Sequence, residues 1–253
     1  SRNIVSGTTD MNFLRQWAGS ILFTLYLFIS LPLYASWILL LAPFSNREQS
    51  MRVGVAWADS VLYMLRKLCR LDYEVEGKHF LQENTIVLMK HSSAWETIAQ
   101  WVIFPEQTWV IKRELMWAPF LGWALTVFQP IAINRRAGRS AVEQVLEQGR
   151  VRLDEGLWVI IFPEGTRVPR GGSRPYGLSG ALLATSCGRS IIPVAHNAGD
   201  FWPRRGWFKR PGTVRVVIGS PIVCVNRSPR DINEDVRAWI ESTLMEISEP
   251  LDV

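Results

Sequence analysis

Three cysteines, Cys69, Cys187 and Cys224, are too few and too widely spaced for a disulfide framework. The three histidines, His79, His91 and His196, show no zinc-ligand spacing. A glycine-rich nucleotide loop is missing, as are internal repeats and low-complexity tracts. These absences argue against a secreted disulfide scaffold, a structural zinc site and a repeat architecture, and no cofactor is implied. The most telling absence is of charge. No Asp, Glu, Lys or Arg occurs from Gln16 to Asn46. Within that stretch Trp17 to Phe44 is almost wholly apolar, which is too long for a signal-peptide core. It reads as a membrane segment. A single tilted span needs about twenty apolar residues, and Pro32 near its middle would kink or break a helix. Arg15 on one flank and Arg47, Arg52, Arg66, Lys67 and Arg70 on the other disfavour translocating either end. The pattern predicts a two-helix hairpin dipping into one leaflet, with a single span as the alternative.

At 253 residues the chain can bury a sizeable core. Residues 1–48 are expected to form the membrane-anchoring helical segment, and 49–253 an α/β domain. The balance of 28 basic against 23 acidic residues favours anionic partners: a membrane surface, nucleic acid or a phosphorylated substrate. Twelve tryptophans suit a membrane boundary, where indole rings settle at headgroup depth.

Met51 to Cys69 has the spacing of an amphipathic helix. Beyond it, strand-like runs at 73–75, 85–89, 108–112, 130–134, 157–162, 191–195 and 214–218 are interleaved with helical ones. The helical runs are 95–103, 117–127, 140–154, 180–187 and 228–247. Such alternation predicts an α/β fold, a mostly parallel or mixed sheet covered by helices, with its site at the carboxyl ends of the strands.

His91 falls at the end of one such strand and Glu96 in the first turn of the next helix. The intervening turn allows the carboxylate to fold back onto the imidazole, as in a carboxylate-oriented general base. The same spacing also fits a capping histidine beside a solvated first-turn acid. Ser92 and Ser93 read as caps rather than nucleophiles. The run Leu157 to Phe162 ends in Pro163-Glu164-Gly165-Thr166-Arg167, where proline stops the strand and glycine permits a close backbone approach. Thr166 and Arg167 then offer donors for a phosphate or a developing oxyanion. The alternative is a strand-terminating turn with a Glu164–Arg167 pair. The stretch from Phe201 to Arg210 interleaves aromatics with cations, as an interfacial anchor does. A single-stranded nucleic-acid site and an exposed loop with a packed tryptophan are its alternatives. His79 and His196 read as surface or structural histidines.

His91-x-x-x-x-Glu96 followed by Phe162-Pro163-Glu164-Gly165-Thr166-Arg167 resembles the glycerolipid acyltransferases. Ile131-Ala132-Ile133-Asn134-Arg135 and Ile191-Ile192-Pro193-Val194 match two further blocks of that family in order. The resemblance spans roughly Tyr73 to Ile222. It implies His91 as catalytic base with Glu96 behind it. It also implies Lys112, Arg135, Glu164, Gly165, Thr166 and Arg167 around the acceptor phosphate, with oxyanion-binding amides near Gly165 and Thr166. The implied reaction moves an acyl group from acyl-CoA or acyl-carrier protein to lysophosphatidic acid, giving phosphatidic acid. Another lyso-lipid, a glycolipid or an amino-acid-derived lipid is the alternative acceptor. The implied partners are the bilayer and these two substrates, not nucleic acid. The implied place is a bacterial inner membrane with the site facing the cytoplasm. The chain departs from the family pattern at Glu96, where aspartate is usual. It also lacks the lysine often found after the Pro-Glu-Gly block, reading Tyr176-Gly177-Leu178-Ser179-Gly180 there.

Overall fold

In the computed structural model, residues 3–248 are described, the side chains of 3–11 and of Arg135 excepted. Seven strands form one sheet in the order β1-β7-β6-β2-β5-β3-β4. They are β1 (Leu71–Glu76), β2 (Ile86–Met89), β3 (Gln107–Lys112), β4 (Ile131–Ile133), β5 (Trp158–Ile161), β6 (Ile191–His196) and β7 (Gly212–Ile218). The five strands from β6 to β4 run parallel, β7 lies antiparallel to β6, and β1 runs parallel to β7. The mixed α/β class expected from the alternation is therefore what the chain adopts.

The uninterrupted apolar runs follow from burial on both sheet faces. In β2, Val87 and Met89 join one core, while Ile86 and Leu88 join the other. Helices α1 (Asn3–Leu41), α2 (Arg47–Cys69), α3 (Trp95–Ile103) and α4 (Leu121–Val127) cover the first face. The second is covered by α5 (Arg139–Asp154), α6 (Ser179–Cys187) and α8 (Pro229–Ile247), the short α7 (Ala198–Phe201) lying near the carboxyl edge. Each such aliphatic side chain contributes about 1.5–3 kcal/mol by leaving water. That is ample reason for the strand register to be held firmly.

The apolar segment departs from its expected form. Pro32 sits inside one continuous helix instead of breaking it, and the chain reverses later, at Ala42–Phe44. The missing proline N–H removes one hydrogen bond, whereas Phe23, Ala35 and Ile38 on the same helix are buried in the core on either side. Packing outweighs the local break. Asn46 then caps α2 through a reciprocal pair with Gln49, at 2.9 and 3.0 Å. The resulting hairpin is antiparallel, with Tyr26 bonded to Ser60 and Trp57 to Ser30. Its second arm is the amphipathic helix, not the second half of the apolar run.

Candidate active site

Strand β2 delivers its next residues to the carboxyl edge of the sheet. The Lys90 amide still bonds to the Val194 carbonyl of β6 at 3.0 Å, so the ladder ends only one residue before His91. The chain then turns into α3. Ser93 Oγ accepts the Trp95 amide at 3.1 Å and donates to the Trp202 carbonyl at 2.6 Å, which fixes the turn.

This turn folds Glu96 back onto His91. Glu96 Oε1 lies 2.8 Å from His91 Nδ1 and accepts the Ser92 and Ser93 amides, each at 2.9 Å. Oε2 accepts the Ser93 amide at 3.1 Å. Burial alone pushes this carboxyl up, but the neighbouring imidazoles and the Ser93 amide outweigh it and hold Glu96 below its ordinary value. An ionised Glu96 places the His91 proton on Nδ1. Nε2 keeps a lone pair, and no described residue bonds to it. The imidazole stacks on Phe162 at 4.3 Å and 23°, which orients it further. The extra methylene of glutamate is thus taken up by the turn, and the pair is closed.

Strand β5 neighbours β2 and carries the second motif to the same edge. Gly165 adopts a left-handed φ of 66°, which favours glycine. Its amide donates to the Phe162 carbonyl at 2.9 Å. That amide is therefore engaged within the turn itself. The Val168 amide holds the His91 carbonyl at 2.8 Å, tying the loop to the dyad. Arg167 Nε is buried without a hydrogen-bond partner. The Arg167 carbonyl accepts from Arg204 at 3.1 Å.

Glu164 occupies a different place from the acceptor-binding one expected. Its side chain is wholly buried, 3.2 Å from the Lys90 ammonium, and the Glu164–Arg167 pair considered from sequence is not formed. Lys90 also meets Glu241 of α8 at 2.8 Å, and Tyr176 donates to the same carboxylate at 3.0 Å. Burial raises Glu164 despite the attraction of Lys90, and it raises the Tyr176 hydroxyl as well. Glu164 therefore braces the turn from beneath.

Lys112 is exposed at the end of β3, and the Arg135 backbone follows β4. These strands stand second and third from β2. At about 4.8 Å per strand the two positions lie roughly 10 and 14 Å along the edge from His91. The Arg135 side chain lies outside the described residues. Lys112 stands along the same edge as the dyad, two strands away.

Sequence reading missed four residues here. Lys90, Tyr176 and Glu241 form the brace, and His196 ends β6 fully buried, with Nε2 3.9 Å from Glu96 Oε2. A lysine at the end of a buried strand was a legible signal, because a buried ammonium requires a partner. The identity of that partner, 151 residues away, was not. The His79 ring lies tilted against Phe80, centroids 4.1 Å apart, near the opposite edge. No group of three or more His, Cys, Asp or Glu suited to a metal ion occurs among the described residues.

Residues 72–197 match the family model described as Acyltransferase. The chain is 38% identical to the 1-acyl-sn-glycerol-3-phosphate acyltransferase of Pseudomonas aeruginosa, over 90% of this chain and 91% of the relative. It is 27% identical to 1-acyl-sn-glycerol-3-phosphate acyltransferase alpha of Mus musculus, over 81% of this chain and 75% of that one. The crystal structure of the 1-acyl-sn-glycerophosphate (LPA) acyltransferase, PlsC, from Thermotoga maritima has the same fold. Its TM-score is 0.78 at 20% identity, with 92% of this chain and 96% of that chain covered. Together with the closed dyad at the sheet edge, the extent of the Pseudomonas match shows that this chain is an enzyme of the acyltransferase family.

Proposed function

We propose that the chain transfers a fatty acyl group from an acyl thioester to the free hydroxyl of lysophosphatidic acid, forming phosphatidic acid. The carrying observation is the dyad: a histidine bonded through Nδ1 to a buried carboxylate at 2.8 Å, with Nε2 available, in a chain so similar to named acyltransferases. Nε2 removes the hydroxyl proton as the oxygen attacks the thioester carbonyl. A C–O bond forms, and the tetrahedral oxyanion is met by loop donors after β5. As it collapses, the C–S bond breaks and the imidazolium returns its proton to the departing thiolate. Glu96 stays ionised throughout and stabilises the imidazolium. Lys112, Arg135, Thr166 and Arg167 receive the phosphate, Lys112 and Arg135 along the strand ends.

The large apolar side chains on α1 suit a monotopic seat in the cytoplasmic leaflet of a bacterial inner membrane, where acyl thioesters are made. The decisive experiment compares wild type with His91→Ala in a purified-protein assay, offering acyl-CoA or acyl-carrier protein to lysophosphatidic acid and to monoacylglycerol. Wild type is expected to prefer the phosphorylated acceptor, and the variant to lose about 10²–10⁴-fold in rate. Product formation unaffected by the substitution rejects the mechanism; equal use of both acceptors rejects the phosphate site.

A further inference from the structure

A second imidazole stands behind the dyad. His196 is fully buried, and both of its ring nitrogens are committed. Nδ1 faces the Ala198 amide at 3.3 Å, which can only donate, so Nδ1 is an acceptor. Nε2 faces the Lys90 carbonyl at 2.8 Å, which can only accept, so Nε2 carries the proton. One tautomer of the neutral ring satisfies both contacts; a protonated ring would lose the Ala198 bond. Nε2 lies 3.9 Å from Glu96 Oε2, beyond hydrogen-bond range, and that oxygen accepts the Ser93 amide at 3.1 Å.

We infer that His196 is a positioning residue for acyl transfer, acting as a fixed neutral Nε2–H imidazole that clamps the Lys90–His91 peptide. The clamped carbonyl is the one immediately before His91, so its bond to β6 sets where the catalytic ring leaves the strand. Glu96 is itself held by the Ser92 and Ser93 amides, so fixing the Lys90 carbonyl fixes the other side of its short contact with His91. The groups facing His196 are Lys90 and His91 from the end of β2, Glu96 and the Trp95 ring from α3, and the Ala198 amide opening α7. The inference rests on the dyad being the catalytic machinery.

The test uses the full chain in detergent. His196→Phe keeps an aromatic ring and removes both bonds, whereas His196→Gln keeps a donor for the Lys90 carbonyl. The Phe variant is expected to lose about 10²-fold in kcat, the scale of a small misplacement of reacting groups, with KM nearly unchanged. Its kcat/KM profile should also shift its acidic limb to lower pH, because a displaced ring loses part of its contact with ionised Glu96, which favours the imidazolium. The Gln variant should recover most of the rate. A merely structural role would scale activity with the folded fraction and leave the pH limb in place, and that result overturns the inference. If the Phe variant does not fold, nitrogen-15 spectra of the wild-type histidines decide. A His196 signal fixed as the neutral Nε2–H tautomer from pH 5 to 8 upholds the inference, and one that titrates or reports Nδ1–H rejects it. His91→Ala is run beside these variants. Activity retained there rejects the dyad, whereas a dead His91→Ala beside a fully active His196→Phe rejects only the clamp.

Discussion

Glu96 concentrates the chemistry of the site in one side chain, since a single oxygen meets His91 and two backbone amides. Glu96→Gln places an amide among these donors and removes the charge that steadies the imidazolium. A loss in kcat of about 10⁴-fold is expected, by analogy with an amide replacing the triad carboxylate of a serine protease, with lysophosphatidic acid binding little changed. Glu96→Asp tests the spacing instead. Retracting the carboxylate by about one C–C bond, roughly 1.5 Å, opens the contact beyond hydrogen-bond range unless α3 follows. Although aspartate is usual in the family that the motif resembles, this variant is expected to be slower than wild type by at least about tenfold. Steady-state rates at saturating donor decide; wild-type activity in Glu96→Asp would mean that the turn adjusts freely.

Helix α1 wears its composition inside out. Gln16, Gly19, Ser20, Thr24 and Ser30 face the protein, while Leu14, Phe28, Leu33, Trp37 and Leu40 are exposed. The inward polar groups hold the loop between α7 and β7. Gln16 donates to the Lys209 carbonyl at 2.7 Å, and Ser20 accepts the Lys209 amide at 3.0 Å. The buried Lys209 ammonium donates to Thr24 at 2.6 Å and lies 5.4 and 5.1 Å from the Phe23 and Trp202 rings. The expected interfacial stretch is thus divided, with Trp202 and Lys209 turned inward and Trp207 outward. At Gly19 the two long helices nearly touch, and a Cβ there would stand 2.0 Å from the Leu68 carbonyl oxygen. Because that oxygen belongs to backbone, Gly19→Ala must push α1 away, at a cost of about 1–3 kcal/mol. Urea unfolding followed by tryptophan fluorescence measures it, with the exposed Ala18→Val as the control expected to cost only helix propensity, about 0.5 kcal/mol. Equal midpoints for the two variants would place the crossing elsewhere.

Two of the buried acid–base groups, His196 and Glu164, act in opposite directions on the stability of the whole molecule. His196 is held below the ordinary histidine value of 6.5, mainly by burial. Its contribution is complete above 6.5 and is lost as pH falls, since the unfolded chain then binds a proton that the folded one refuses. Glu164 is raised above 4.5, again mainly by burial, so it favours the folded state on the acid side. In the interval below 6.5 the two compete, and His196→Phe isolates the histidine part. The variant should lose less stability than wild type between pH 7 and pH 5, as read from unfolding midpoints. Parallel curves would mean that His196 takes up a proton equally in both states. A second prediction concerns the outward apolar surface of α1, which from Asn12 to Phe44 is long and apolar enough to cross a membrane. Liposome flotation should recover wild type with the vesicles, and Phe28→Asp combined with Leu33→Asp should reduce that recovery. Unchanged flotation would assign membrane contact to another surface.

Local sequence was sufficient for the alternation of strands and helices, because strands buried on both faces must be continuous apolar runs and amphipathic helices repeat their apolar positions at helical spacing. It also marked both motif turns, since proline, glycine and a polar residue after a buried strand leave little choice of conformation. Whether Glu96 reached His91, which partner neutralised Lys90, and how His196 joined the site were decided only by tertiary structure. The first depends on a turn that Ser93 ties to Trp202; the other two depend on strand order, since β6, β2 and β5 lie side by side although long stretches of chain separate them. The same reason explains the uninterrupted α1. Pro32 weakens a helix locally, but the packing that preserves it comes from residues that no local window contains.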